Sequence, residues 1–194
     1  MGSDAALVIL AGGASTRMGR PKHELPVEGM TLIEWVARRL APAFEEVLVV
    51  SREGGVKAAG ARAVADLRPG AGPLAGIESG LTHAVHERVV VVGCDMPYVT
   101  ADFAQFLVAA LGHHDAAVPR VDMRAEPVCA AYQRGALAAV AACLDANEKR
   151  AQAMLDHLHV RYLDSADLAV AGFDSEMLSS LNTPDDYERF RKAC

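Results

Sequence analysis

The sequence predicts an α/β protein: a doubly wound, mostly parallel sheet with helices on both faces, folded as a single domain. Three observations predict it. Short continuous apolar runs at 5–11, 47–50 and 89–92 each stop at glycine or a polar residue, as strands buried on both faces do. Segments of helical spacing separate these runs, and strands alternating with helices need the crossover connections that build parallel sheets. The 194 residues, 52% of them hydrophobic, suffice to bury roughly 70% of the unfolded surface in one core.

Taken in order, residues 5–11 form the first strand, closed by Gly12-Gly13. Thr31 caps a helix whose apolar stripe is Leu32, Ile33, Val36 and Leu40. Residues 47–50 form the second strand, and 63–65 a short third one that ends at Asp66. The Gly- and Pro-rich stretch 67–72 is loop, and helical spacing returns over 75–85. Residues 89–92 form the most hydrophobic strand, terminated by Gly93-Cys94-Asp95. A helix over 101–111 and a short strand at 116–118 follow. The rest is less regular: strands at 128–132 and 159–163, helices at 136–144 and 151–158. Thr183-Pro184-Asp185-Asp186 is a helix start, with a threonine cap, proline at the first helical position and acids in the first turn. No repeat, low-complexity tract or linker divides the chain.

Composition narrows the function. A net charge of −6 argues against a general nucleic-acid binder, although a local basic loop can still hold phosphates. No apolar run reaches the 18 or so residues of a membrane span, and no basic segment precedes the first apolar stretch as in a secretory signal. The cysteines at 94, 129, 143 and 194 form no C-x-x-C pair, so neither a disulfide framework nor a zinc site is expected. A cytoplasmic protein with no nucleic-acid or membrane partner is the expectation. His113-His114 reads as a solvated turn, and Cys94 as a small packing residue at a buried strand end.

Sheets of this kind bind ligands at the carboxyl ends of their strands. There lie the loop after strand one, Asp66 after strand three and Asp95 after the next strand. The loop, Leu10 to Lys22, holds Gly12, Gly13 and Gly19 together with Arg17, Arg20 and Lys22. Its glycines let main-chain amides approach an anion, and its cations are concentrated on an acidic chain. The spacing is neither a P-loop nor a dinucleotide fingerprint, and alone it also describes an ordinary turn with solvated cations.

The whole pattern is more specific than its glycines. The Leu-Ala-Gly-Gly start, Arg17-Met18-Gly19, Lys22, Gly72-Pro73-Leu74-Ala75-Gly76, Cys94-Asp95-Met96-Pro97-Tyr98 and Asn182-Thr183-Pro184 occur in order along nearly the whole chain. In this the sequence resembles the nucleotidyltransferases, and within them the molybdenum cofactor guanylyltransferases (the molybdopterin-guanine dinucleotide biosynthesis protein A family). The resemblance implies a Rossmann-like fold of the nucleotide-diphospho-sugar transferase type. It also implies transfer of GMP from GTP to the terminal phosphate of molybdopterin, with release of pyrophosphate.

By the same resemblance Leu10, Ala11, Gly12, Gly13, Lys22, Asp66 and Asp95 contact the nucleotide. Arg17, Lys22 and Asp95 serve catalysis, Asp95 binds Mg2+, and Asn182 faces the cofactor. The nucleotide would occupy residues 1–100 and the cofactor 101–194. Transient contact with proteins that deliver the cofactor or mature molybdoenzymes is a further expectation. Each carboxylate also has a plainer role: Asp95 as a helix cap, Asp66 as a loop residue bonding its own backbone. Asn182 likewise can serve as a loop residue ahead of the Thr183 cap. Two departures stand out: Val50-Ser51 where the family can carry an asparagine, and Ser180 where a second asparagine occurs. A cytidylyltransferase acting on the same cofactor, a sugar-phosphate nucleotidyltransferase and a non-catalytic nucleotide-binding regulator are the competing readings.

Overall fold

The computed structural model describes residues 3–12 and 20–193. Along the chain run β1 (Ser3–Leu10), the hairpin of β2 (Pro26–Val27) and β3 (Met30–Thr31), α1 (Leu32–Leu40), β4 (Phe44–Ser51), β5 (Arg62–Ala65), α2 (Pro73–His83), β6 (Arg88–Gly93) and α3 (Ala101–Leu111). Then come β7 (Ala116–Val121), β8 (Arg124–Ala125), β9 (Cys129–Gln133), α4 (Leu137–Asp145), β10 (Val160–Asp164), α5 (Ser165–Val170) and α6 (Pro184–Ala193).

The continuous apolar run of β1 is explained by its two buried faces. Ala5, Leu7 and Ile9 pack with Ile33, Val36 and Leu40 of α1 and Phe103 and Leu107 of α3. Ala6, Val8 and Leu10 pack on the other side with Leu74, Ile77 and Leu81 of α2 and Val140 and Leu144 of α4. The sheet therefore has helices on both faces, as a doubly wound fold requires. Two glycines set the fit of α2 on the sheet. A Cβ at Gly80 would lie 2.6 Å from a Val8 methyl carbon, and one at Gly76 would lie 3.1 Å from a Leu10 methyl carbon.

The main strand order is β10-β7-β9-β6-β1-β4-β5, with β8 paired to β7. β1 runs parallel to both β4 and β6, β4 to β5, and β10 to β7. β9 departs from the expected parallel pattern: it is antiparallel to both of its neighbours, β6 and β7. No helix separates β7 from β9, only a short hairpin, and a connection that short cannot make the crossover a parallel pair needs. The sheet is mostly parallel, with β9 reversed inside it and the short β8 reversed beside β7.

Other differences are local. Helix α2 starts at Pro73, ahead of the expected 75, because proline is favourable at the first helical position. Residues 151–157 form a 3-10 helix, where an α-helix was expected. Its buried Ala151, Met154 and Leu155 have a spacing that serves either helix type. The short α5 was not anticipated; its start is closed by a box between Asp164 and Asp167. Among the described residues no helix is long and apolar enough to cross a membrane.

Candidate active site

The parallel strands β1, β4, β5 and β6 end on one edge of the sheet, and the predicted residues that the structure describes lie along or beside it. At the end of β1 the Leu10 carbonyl accepts the Cys94 N–H (3.0 Å), and the Ala11 N–H donates to Val50 (2.8 Å). Leu10 and Ala11 are buried, whereas Gly12 is exposed with open space where a Cβ would stand. Main chain accessible to a ligand thus begins at the Ala11–Gly12 peptide. Gly13 and Arg17 lie outside the described residues.

Three predicted residues meet. The Lys22 ammonium donates to Asp95 Oδ2 at 2.7 Å and to Asn182 Oδ1 at 3.0 Å. The lysine and aspartate side chains are 20% and 26% exposed, so the pair is partly desolvated and still open to a ligand. A small apolar cluster brings the distant segments together: Leu25 and Val27 pack with Leu32, Leu181, Tyr187 and Phe190. Leu25 follows the turn that carries Lys22, and Leu181 immediately precedes Asn182. The Tyr187 hydroxyl donates to the Pro26 carbonyl, and the Leu181 N–H to the Asp95 carbonyl (2.8 Å).

Asn182 sits on a capped turn. The N–H groups of Asn182 and Thr183 donate to Asp186 Oδ2 (3.1 and 2.8 Å), and Asp186 N–H donates back to Thr183 Oγ1 (3.2 Å). These contacts with Thr183 hold the Asp186 carboxyl down at about 2. Of the two roles foreseen for Asn182 the plainer one is seen, its backbone leading into the cap, while its side chain faces Lys22. Asp95 is not the cap of α3; Thr100 is, its Oγ1 accepting the Phe103 N–H at 3.2 Å. Asp95 needs the glycine two positions before it, since a Cβ at Gly93 would lie 2.7 Å from Asp95 Oδ1.

A second carboxylate near Asp95 was not foreseen. The β6–β9 register pairs Val92 with Cys129, and Gly93 N–H donates to the Val128 carbonyl (2.9 Å). Beyond this register the chain turns, the Cys129 N–H donating to the Glu126 carbonyl (2.9 Å), and Glu126 lies close enough to Asp95 to feel its charge. Burial and then the charge of Asp95 push the Glu126 carboxyl upward, against a smaller opposing effect of Arg124. Nothing in the sequence around Glu126 marks it; the turn that leads into β9 carries it.

Asp66 lies further along the edge, three strand spacings from β6, or roughly 14 Å. Its Oδ1 accepts the Arg68 N–H at 3.3 Å, the local loop bonding weighed for it, and is 3.2 Å from Ser79 Oγ. Ser51, the candidate substitute for a family asparagine, is buried, and its Oγ accepts the Val56 N–H at 3.5 Å. Its hydroxyl serves the turn after β4. Cys94 is buried, and burial together with Asp95 pushes its thiol pKa up, which removes it as a nucleophile. His113 is exposed after α3, as expected, whereas His114 stacks on His159 with ring centroids 4.5 Å apart.

An ammonium held between two oxygen acceptors and still partly open to solvent can grip phosphate and stabilise charge leaving with it. Comparison with known proteins agrees with that chemistry. Residues 7–162 match the family model described as a MobA-like NTP transferase domain. A protein of Pelotomaculum thermopropionicum named "probable molybdenum cofactor guanylyltransferase" is 33% identical over 95% of this chain and 90% of its own length. One of the same name from Carboxydothermus hydrogenoformans is 31% identical over 96% and 94%. The crystal structure of molybdopterin-guanine dinucleotide biosynthesis protein A from Archaeoglobus fulgidus superposes with a TM-score of 0.83 at 27% identity, covering 97% of this chain and 98% of that one.

Proposed function

Because the chain belongs to the family of MobA-like NTP transferase domains, we propose that it is a molybdenum cofactor guanylyltransferase. It transfers GMP from GTP to the terminal phosphate of molybdopterin. An oxygen of that phosphate attacks the α-phosphorus, the new P–O bond forms, the bond to the β-phosphate bridging oxygen breaks, and pyrophosphate leaves. The observation that carries this reading is the convergence of Lys22, Asp95 and Asn182 at the carboxyl edge of the sheet.

The attacking phosphate is itself the nucleophile, so no side chain has to form a covalent intermediate. The protein's task is to bring two polyanions together in line and offset their repulsion. In this reading Lys22, oriented by Asp95 and Asn182, faces the α-phosphate and the departing pyrophosphate. Arg17 adds a second cation. The main chain from the Ala11–Gly12 peptide through Gly13, with Asp66 at the other end of the edge, holds the nucleotide; the Leu10 carbonyl and Ala11 N–H are already bonded and only support it. Asn182 faces the cofactor.

The donor set also fits magnesium. Asp95 and Asn182 offer hard oxygen atoms beside the phosphate-binding lysine, and magnesium is often held by only one or two carboxylates plus waters and substrate phosphates. Among the described residues no group of three or more His, Cys, Asp or Glu could cage a metal alone. Asp95 would be the protein ligand, and a bound Mg2+ would supply further neutralisation of phosphate charge. Three free buried thiols, Cys94, Cys129 and Cys143, fit the reducing cytoplasm we assign to the protein.

Calorimetric titration with GTP, CTP and ATP in the presence of magnesium, followed by turnover with molybdopterin, tests the proposal. GTP should bind at least about tenfold more tightly than the other two, a difference of about 1.4 kcal/mol. Comparable affinity for CTP moves the function to a cytidylyltransferase, and GTP binding without GMP transfer leaves only a nucleotide-binding protein.

A further inference from the structure

The loop after β5 is fastened to α2 and α4 by side chains that the proposed chemistry does not use. The Leu67 N–H donates to Ser79 Oγ at 2.8 Å, and Ser79 is fully buried on α2. The Arg68 guanidinium forks. Its Nη2 lies 3.0 Å from Glu78 Oε1 on α2, and its Nη1 lies 2.6 Å from Asp145 Oδ1 at the end of α4. The far end of the loop is also close-packed: Gly72, at φ +80°, would bring a Cβ within 3.2 Å of the Lys149 carbonyl.

Glu78 is the unusual member. Its side chain is 7% exposed, and its Oε2 is buried with no hydrogen-bond partner. Gly76 and Gly80 face β1, so Glu78, two positions from each, is turned away from the sheet. An apolar side chain there would bury without any desolvation cost, and buried ion pairs are commonly no more stable than such replacements. Stability therefore does not account for this pair. What it does is hold Arg68, and through Arg68 the loop, in one place.

We infer that Arg68 is a positioning residue for the nucleotide: by bridging Glu78 and Asp145 it holds the 66–72 loop where Asp66 and the loop main chain meet the guanosine of GTP. This rests on the guanylyltransferase reading above. Arg68 acts through the loop and touches no reacting atom.

Steady-state kinetics, calorimetry and thermal unfolding of Arg68→Ala, Arg68→Lys and the double variant Arg68→Ala/Glu78→Leu test it. Arg68→Ala should raise the KM for GTP roughly tenfold, the scale of one charge-assisted contact, with kcat at saturating GTP within about twofold of the parent. The preference for GTP over ATP should narrow in parallel. Arg68→Lys should recover little, because an ammonium lacks the planar fork that spans two acceptors. In the double variant the stranded carboxylate is gone, so Tm should return towards the parent value while the KM stays high. A parental KM for GTP in the folded double variant overturns the inference and leaves the pair a purely structural contact. Failure of the parent protein itself to bind GTP overturns the functional reading and the role of Arg68 with it.

Discussion

The two ends of the ligand-binding edge are built in opposite ways. At the Asp66 end, Ser79 and Arg68 act over short stretches of chain, Asp66 to Ser79 being 13 residues and Arg68 to Glu78 ten. At the Lys22 end, the lysine meets an aspartate 73 residues away and an asparagine 160 residues away. The first end is mainly a β-strand, its loop and the following helix, with one distant tie where Arg68 reaches Asp145, 77 residues on. The second exists only when α6 docks on the β2–β3 hairpin through Leu181, Tyr187 and Phe190. In the proposed site, chemistry that must bring two substrates together sits where the chain's distant parts meet, whereas recognition of one substrate rests mainly on a local unit. Damage at the corner should therefore strike turnover, and damage at the loop should strike affinity for GTP.

The strongest test of that contrast is Asp95→Asn. It removes the charge paired with Lys22 and, in the proposed site, the magnesium carboxylate. Turnover should fall on the order of a hundredfold or more and stay low at saturating GTP, with the fold intact by circular dichroism. Near-parental turnover at ordinary magnesium concentrations would remove Asp95 from the chemistry and erase the distinction between the two ends.

Lys22→Ala comes next. Loss of a charge-assisted contact at a partly desolvated site is worth roughly 1.5–3 kcal/mol, so GTP binding, turnover or both should weaken about ten- to a hundredfold. Lys22→Arg should rescue only in part. Arg20→Ala is the control, since among the described residues the Arg20 guanidinium reaches only the carbonyl of Glu24 in its own turn, at 3.2 Å. Indistinguishable behaviour of Lys22→Ala and Arg20→Ala in GTP assays would make Lys22 a surface cation.

The smallest effect belongs to the cap beneath Asn182. Asp186→Ala releases the Asn182 and Thr183 amides, so the KM for molybdopterin should rise a few-fold while that for GTP stays put. The same cap is sensitive to acid. The Asp186 carboxyl is held at about 2, below the roughly 3.9 of an unfolded aspartate. A depressed carboxyl stabilises the fold above the unfolded value and loses that contribution as pH falls through the folded one. The Tm difference between the parent and Asp186→Ala should be constant above about pH 5 and close between pH 4 and 2. A gap that persists at pH 2 would mean that the charge on Asp186 does not hold the cap.

How far the sequence speaks for itself follows the same division. The runs at 5–11, 47–50 and 89–92 are apolar on both faces, and that pattern alone determined β1, β4 and β6 with helices above and below. The Thr183-Pro184 start of α6 and the position of Asp66 and Asp95 at strand ends were equally legible, since caps and strand termini are local events. Family resemblance pointed to Lys22, Asp95 and Asn182, but nothing near any of the three says that it touches the other two. Only the tertiary structure decided that, through the cluster of Leu25, Val27, Leu181, Tyr187 and Phe190. It alone reversed β9, because direction in a sheet depends on the length of a connection and on which edge is still unpaired. The turn that leads into that strand carries Glu126 within reach of the charge of Asp95. The physical reason is range: hydrophobic periodicity and capping are written within a few residues, whereas a charge meets its partner only after remote apolar surfaces have found each other.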